Sequence, residues 1–235
     1  MVKQHYKRLA IPRTWQLQRK GITFVTRPHP GAHPFTLGMS LSTLLKEILH
    51  LVKTSREVRV ILSKGDVLVD GVVRKDPRHC VGFLDTISIP SIKSYYRITL
   101  SKRGKIIALP ISLEETKKKI SKIKGKTIVK NGKFQINTDD YNFLVDKDTY
   151  HTGDSLLLEI PSRKIKETLR LEKGALIMLT GGKHIGDQGV VEEIQGAKIL
   201  FKTSQGTLSE TLRTYALVLG KGKSVIHLSE AHSTP

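Results

Sequence analysis

Hydrophobic residues recur with a helical period between residues 41 and 62. A first apolar stripe, spaced by three and four positions, consists of Leu41, Leu44, Leu45, Ile48, Leu49 and Val52. A shorter stripe follows at Val58, Ile61 and Leu62. Ser55 fits the N-cap of this second helix, and Gly65 fits its left-handed C-terminal stop. The pattern therefore predicts two short consecutive helices.

After residue 65 the apolar period becomes that of strands. Val67–Val69 and Val72–Val73 flank Asp70-Gly71, a pair that favours a two-residue hairpin turn. A further strand is predicted at Thr86–Ile89, where Pro90 ends it. Residues 38–94 thus form a predicted helix–helix–hairpin module.

Residues 95–170 are predicted to be mainly strands. The expected strands are Tyr96–Leu100, Ile106–Leu109, Thr127–Val129, Phe134–Ile136, Tyr141–Val145 and Ser155–Ile160. Asn131-Gly132 favours a hairpin turn between the third and fourth of them. Ser112 and Glu115 have the spacing of a capping box, which predicts a short helix reaching about Lys124. This segment is predicted to be a central β domain.

Residues 171–235 contain short predicted strands separated by glycine-containing turns, which is typical of a small β-barrel. These strands are Ala175–Leu179, Gln188–Glu193, Lys198–Lys202, Thr207–Leu212, Tyr215–Leu219 and Val225–Leu228.

At the N-terminal end, residues 1–37 are interrupted by prolines, and this pattern predicts an arm that becomes ordered on binding. Trp15 and Phe24 are its expected hydrophobic anchors. The predicted fold class is α+β, mostly β.

The net charge of the chain limits the classes of partner that it is expected to bind. Lys and Arg total 40 against 21 acidic residues, a net charge of +19. Residues 1–40 contain seven Lys or Arg and no acidic residue. Such a field favours a nucleic acid over an anionic membrane or a solvated surface with no single partner. The single cysteine excludes an internal disulfide, and no apolar run is long enough to predict a membrane span.

Four segments resemble parts of known protein families. Residues 59–71, R-V-I-L-S-K-G-D-V-L-V-D-G, resemble the helix-to-hairpin core of the RNA-binding module named after ribosomal small-subunit protein four. Residues 73–89 and the opening H-Y-K-R-L-A-I-P-R-T-W (residues 5–15) are similar to the archaeal and eukaryotic e-type family of that name. Residues 178–191, M-L-T-G-G-K-H-I-G-D-Q-G-V-V, resemble a KOW strand–loop–strand motif, with Gly189 before an apolar pair.

The resemblance covers nearly the whole chain and indicates the archaeal form of this family. It implies a basic N-terminal segment (1–37), the RNA-binding module (38–94), the central β domain (95–170) and a C-terminal KOW-type, SH3-like barrel (171–235). It also implies a structural component of the cytoplasmic small ribosomal subunit. Small-subunit ribosomal RNA and neighbouring ribosomal proteins would be its partners, with no catalysis, cofactor, metal, membrane or small-molecule substrate.

The candidate RNA contacts are basic residues, because guanidinium and ammonium groups bind phosphate. They lie in the arm, in the RNA-binding module, in the turn at 101–104 and in the loop of the predicted barrel that contains Lys183 and His184. They are Lys3, Lys7, Arg8, Arg13, Arg19, Lys20, Lys46, Lys53, Arg56, Arg59, Lys64, Arg74, Lys75, Arg78, Lys102, Arg103, Lys105, Lys183 and His184.

Other functions have less support. An RNA-modifying enzyme sharing the module needs a catalytic domain, for which the remaining blocks are too small. A KOW-containing transcription-elongation protein is the other alternative. The G-K-S at residues 222–224 lacks the earlier glycine of a P-loop, since Leu217 occupies that position. His29 and His33 are separated by Pro30 and Gly31, which excludes a helical metal-binding pair.

Overall fold

The computed structural model describes residues 5–129, 132–146, 148–203 and 206–228. The chain divides into two compact units: unit 1 comprises residues 1–100 and 105–117, and unit 2 comprises residues 101–104 and 118–235. Strands greatly outnumber helices, which confirms the predicted mostly-β α+β class. None of the helices within the described ranges has the length and hydropathy of a bilayer-spanning segment.

Unit 1 combines three antiparallel sheets with two helical segments. Its strands are β1 (His5–Lys7), β2 (Phe24–Thr26), β3 (Gly38–Ser40), β4 (Leu68–Val69), β5 (Val72–Val73), β6 (Cys80–Gly82), β7 (Thr86–Ile89), β8 (Ser94–Leu100) and β9 (Ile106–Pro110). β1 pairs with β2, β3 pairs with β6, and the largest sheet has the order β5-β4-β7-β8-β9. The strands from 94 to 110 therefore belong to the sheet of the first hairpin, so the predicted division at residue 94 does not coincide with a break in strand pairing.

The helical segments of unit 1 largely follow the predicted pattern. Helix α1 (Leu41–Thr43) continues into a π-helical turn (Leu44–Ile48), which ends before the predicted limit at Val52. Helix α2 (Ser55–Lys64) is capped by Thr54, one residue before the predicted N-cap, because Thr54 and Glu57 form a capping box. Three short 3-10 helices lie at Arg8–Ala10, Pro90–Ile92 and Glu115–Lys117.

Positive φ angles occur where the turn chemistry requires them. Gly65 ends α2 at φ 81°, and Asp70 and Gly71 have φ values of 48° and 70° between β4 and β5. A two-residue hairpin of this type needs positive φ at both central residues. The predicted first hairpin and helix stop are therefore confirmed.

The arm is packed into unit 1, which differs from the expected segment that orders only on binding. The Trp15 side chain is 2% exposed, and its indole N–H donates to the carbonyl of Gly38 at 3.0 Å. Its ring lies 5.3 Å from that of Phe35, and the backbone beside it pairs with Ile106. The predicted anchoring role of Trp15 is confirmed, because an indole of this size dominates the core it enters.

Unit 2 contains two five-stranded antiparallel sheets. The first has the order β12-β11-β10-β13-β14, and the second β18-β17-β16-β15-β19. Their strands are β10 (Lys118–Ile128), β11 (Phe134–Thr138), β12 (Asn142–Val145), β13 (Ser155–Glu159), β14 (Lys164–Leu169), β15 (Ala175–Leu179), β16 (Gln188–Gln195), β17 (Lys198–Thr203), β18 (Leu208–Leu212) and β19 (Ala216–Lys221). The predicted β10–β11 hairpin is present, although Asn131 of its expected turn lies outside the described residues.

Two predictions for unit 2 are wrong, and one strand was missed. The segment predicted as a helix to Lys124 forms the 3-10 turn at Glu115–Lys117 and then strand β10. β10 is central in its sheet, and Lys122 is buried with its ammonium group donating to the carbonyls of Arg213, Thr214 and Ala216. Residues 225–228 form no strand, whereas β14 was not predicted.

Replacing Trp15 by Ala should destabilise unit 1 by about 3–5 kcal/mol, because a fully buried indole leaves a large cavity. Thermal unfolding followed by far-UV circular dichroism would measure the shift. Leu9→Ala, in the same arm but 68% exposed, is the matched control and should stay within about 0.5 kcal/mol of the unsubstituted protein. Equal, small effects of both substitutions would show that the arm is not part of the core.

Candidate nucleic-acid interface

A groove of about 330 Å³ lies on unit 1 where the arm meets the two helical segments. Strand β2 supplies one side, the α1–π segment another, and α2 with the loop before β6 the rest. The residues that line it are Arg8, Ile22, Phe24, Val25, Thr26, Ser42, Thr43, Lys46, Glu47, Ser55, Arg59, Pro77 and Arg78. Segments that are far apart in sequence thus converge on one concavity.

Four predicted RNA contacts meet in this groove: Arg8, Lys46, Arg59 and Arg78. Arg59 is exposed on α2, and Lys46 and Arg78 are half-buried. Glu47 is the one carboxylate among the described residues that line it. A concave surface with several cations and one acid raises the local concentration of an anionic ligand.

Arg8 differs from the prediction because it is 5% exposed and cannot serve mainly as a surface contact. Its guanidinium holds Glu47 in a bidentate pair, with Nη1–Oε1 at 3.1 Å and Nη2–Oε2 at 2.8 Å. Its Nε also donates to the carbonyl of Gln18. The hydrogen bonds from Arg8 lower the pKa of Glu47, so the carboxylate stays ionised and paired. Arg8 therefore neutralises the acid that would repel a phosphate.

Other predicted cations surround the groove on unit 1. Exposed side chains are those of Lys7, Arg13, Arg19, Lys20, Lys53, Arg56, Lys64 and Lys75, whereas Arg74 and Lys105 are half-buried. Arg19 donates to the carbonyls of Leu9 and Ile11, and Lys105 to that of Arg13, so these two also fasten the arm. Lys3 lies outside the described residues.

Some acids of unit 1 accept hydrogen bonds from backbone and hydroxyl groups. Glu57 accepts from the N–H of Lys53 and the hydroxyl of Thr54, and Asp70 accepts from the N–H and hydroxyl of Thr86. Within the described ranges no carboxylate lies at salt-bridge distance from Lys53, Arg56, Arg59, Lys64 or Lys75. Their positive charge is therefore available to a ligand.

Unit 2 has the opposite arrangement, because many of its cations are paired with acids. These ion pairs are Lys119–Asp140, Lys124–Asp139, Lys126–Asp148, Lys133–Asp146, Lys166–Glu159, Arg170–Glu172 and Lys198–Glu210. Of the predicted contacts on this unit, Lys102, Arg103 and Lys183 are exposed, and His184 lies 3.4 Å from Asp187. These four are not among the residues that line the groove.

Sequence reasoning missed the apolar part of the groove. Phe24 was expected to be a hydrophobic anchor of the arm, yet it is 49% exposed, and Ile22 is 63% exposed. In β2 it is the neighbouring Val25 that turns inward, with 8% exposure. Strict alternation along a three-residue strand could have suggested this, because residues on either side of an inward residue face outward.

Comparison with known proteins gives consistent matches. The sequence model of ribosomal family S4e matches residues 92–165, and that of the RS4NT (NUC023) domain matches residues 2–36. The chain is 39% identical over 232 residues to small ribosomal subunit protein eS4 of Methanosphaera stadtmanae, covering 96% of both chains. It is also 39% identical to the eS4 protein of Methanocella arvoryzae, covering 96% of this chain and 98% of that one.

A solved structure is similar as well. The crystal structure of the 30S ribosomal protein S4e from Thermoplasma acidophilum matches with a TM-score of 0.68 and 26% sequence identity. The match covers 79% of this chain and 96% of that one. The similarity in sequence and in fold therefore extends over most of the chain.

The Arg8–Glu47 pair should make the stability of unit 1 depend on acid pH. Because the pKa of Glu47 is lowered on folding, its contribution is present above the unfolded carboxyl pKa of about 4.3 and is lost as pH falls through the folded value. The unfolding temperatures of the unsubstituted protein and of Glu47→Gln, followed by Trp15 fluorescence, should differ at pH 7, and the difference should shrink as the pH falls below the unfolded carboxyl pKa. A difference that stays constant over this range would contradict the assignment.

Proposed function

We propose that this chain, which belongs to ribosomal family S4e, is a structural component of the small ribosomal subunit that binds and positions ribosomal RNA. The predictions of a ribosomal and non-enzymatic role agree with this family. The family matches give no support to the alternative of an elongation or RNA-modification accessory protein. Ribosomal RNA, neighbouring ribosomal proteins and a cytoplasmic location follow as parts of the proposal.

One observation carries the RNA-binding role: Lys46, Arg59 and Arg78 converge on a groove whose single described acid is neutralised by Arg8. Phosphate contacts of this kind fix the orientation of a protein on RNA without reading its sequence. The exposed cations of the arm and of α2 continue the positive surface around the groove. Recognition would then depend on RNA shape and on phosphate and ribose contacts.

The second sheet of unit 2 supports a KOW-type, SH3-like barrel as part of this proposal. Residues 178–191 run from the end of β15 through a loop into β16, which matches the strand–loop–strand expectation. A Cβ on Gly189 would lie 2.5 Å from the carbonyl oxygen of Lys202, so the close pairing of β16 with β17 requires glycine there. Lys183, exposed in the loop, is a candidate for a separate RNA contact.

Removing groove cations should weaken RNA binding more than removing cations elsewhere. We expect the double variant Lys46→Ala with Arg59→Ala to bind a small-subunit rRNA transcript with lower affinity. The slope of log K against log salt should also become less steep by roughly 1–2, because fewer phosphate contacts release fewer counterions on binding. Filter binding or fluorescence anisotropy at several salt concentrations would measure both quantities.

Lys198→Ala with Lys202→Ala is the matched control, since it removes the same charge from unit 2, where Lys198 is paired with Glu210. This control should keep most of the affinity and the slope. Equal losses in the two double variants would show that the groove has no special part in binding. An affinity unchanged between low and physiological salt would exclude a phosphate-based interface.

The ribosomal role itself can be tested in cells. A tagged copy of the chain should co-sediment with small subunits on a density gradient. Variant Lys46→Ala with Arg59→Ala should shift toward the free fractions, because it has lost part of its RNA contact. Sedimentation of the unsubstituted chain with RNA polymerase instead would favour the elongation alternative.

A further inference from the structure

The cationic groove on unit 1 also has an apolar wall. Phe24, 49% exposed, and Ile22, 63% exposed, line the same cavity as Lys46, Arg59 and Arg78. A single exposed apolar side chain is ordinary on a protein surface. Here two of them line one concavity together with three cations, and a surface that bound only backbone phosphates would not require an apolar wall.

The position of Phe24 follows from how β2 is placed. Val25 packs inward, so its neighbours Phe24 and Thr26 face outward, and Lys7 lies opposite Phe24 on the paired strand β1. Directly opposite residues of an antiparallel pair project to the same side. Phe24 therefore lies opposite Lys7 and is one of the residues that line the groove, together with Lys46, Arg59 and Arg78.

This combination fits the parts of one nucleotide. A phosphate requires cationic donors, and an unstacked base requires an aromatic or apolar surface. The exposed hydroxyl of Ser55 at the start of α2 offers a polar group for the ribose or the base edge. The groove volume of about 330 Å³ lies at the lower end of the range for small-ligand sites, which is roughly 300–1,000 Å³.

We propose that this groove takes a single unpaired nucleotide of the bound RNA, with its phosphate among Lys46, Arg59 and Arg78 and its base against Phe24. The inference rests on the proposed RNA-binding function and specifies its ligand as a bulged or looped-out residue instead of continuous duplex. The cations hold any RNA backbone, whereas the Phe24 wall distinguishes an unpaired base from a paired one. The pairing of Arg8 with Glu47 keeps the site free of an uncompensated negative charge.

The test compares two RNAs that differ by one nucleotide: a fully paired duplex, and the same duplex with a single-nucleotide bulge. The intact full-length chain should bind the bulged RNA about tenfold more tightly, in line with the stacking of one base on an aromatic side chain. Phe24→Leu keeps the apolar volume and removes the aromatic ring, so it should lose most of this preference while binding the duplex as before. Phe24→Tyr should retain it.

Controls separate stacking from charge and from folding. Ile92→Ala removes an apolar side chain that is 52% exposed outside the groove, and it should leave the preference unchanged. Arg59→Ala should weaken binding to both RNAs. Thermal unfolding of each variant checks its fold, and 2-aminopurine placed in the bulge gives a readout on the unsubstituted protein alone, because its fluorescence should be quenched when the base stacks on Phe24.

The outcomes distinguish this inference from the function on which it rests. Absence of binding to either RNA would overturn the proposed function. Salt-dependent binding of equal strength to both RNAs, or a preference that survives Phe24→Leu, would overturn only the nucleotide site. Displacement of the bulged RNA by an equal concentration of adenosine monophosphate would assign the groove to a free nucleotide and would also overturn it.

Discussion

The ion pair between Arg8 and Glu47 is the contact on which the candidate interface depends. It joins the arm to the π-helical turn of the first helical segment through two hydrogen bonds, and it is largely shielded from solvent. A charge in this position is stable only when it is paired, because removal of one partner leaves the other uncompensated. The same contact closes one side of the groove and neutralises its carboxylate. One ion pair thus determines both the position of the arm beside the groove and the charge of the groove's carboxylate.

The two units differ more in how their charged side chains are paired than in how many charged side chains they contain. Unit 2 contains many lysines, yet most of its ion pairs join those lysines to nearby aspartates and glutamates, as with Lys124–Asp139 and Lys198–Glu210. In unit 1 some acids cap a helix or accept from backbone N–H groups, as Glu57 and Asp70 do, while Glu47 and Glu115 are paired with the buried Arg8 and Arg97. The net charge of +19 for the whole chain therefore does not show that the unpaired cations are concentrated in unit 1. Cations with no acid at salt-bridge distance among the described residues, such as Arg56 and Arg59, contribute most to a field that attracts a polyanion.

Local turn and cap chemistry was predictable from the sequence, and long-range packing was not. Asp70-Gly71 and Gly65 behave as expected because each turn is determined by the φ angles of one or two residues. The helix expected to reach Lys124 instead forms β10, because two neighbouring strands and the buried partners of Lys122 outweigh a local capping pattern. The strands β3 and β6 were missed because each is only three residues long.

In the candidate site, too, some features were predictable from the sequence and others depend on long-range packing. Its cations were predicted because residue type and sequence position suffice to identify a basic segment. Two features required the structure: Arg8 is buried against Glu47, and Phe24 faces outward beside Lys46 and Arg59 in the same groove. Both arise because the arm packs against helices that follow it in the chain.

That packing also lets affinity and selectivity depend on different side chains. Phosphate contacts contribute binding to any RNA and respond to salt, whereas an aromatic surface contributes only when a base is unstacked and within reach. Phe24 lies on the arm, whereas Lys46, Arg59 and Arg78, which the proposal assigns to the phosphate, lie on the helical segments and the loop before β6. In the proposed interaction, the contacts of Arg8 and Trp15 serve recognition as well as folding, because they hold the arm within unit 1, where it forms one side of the groove.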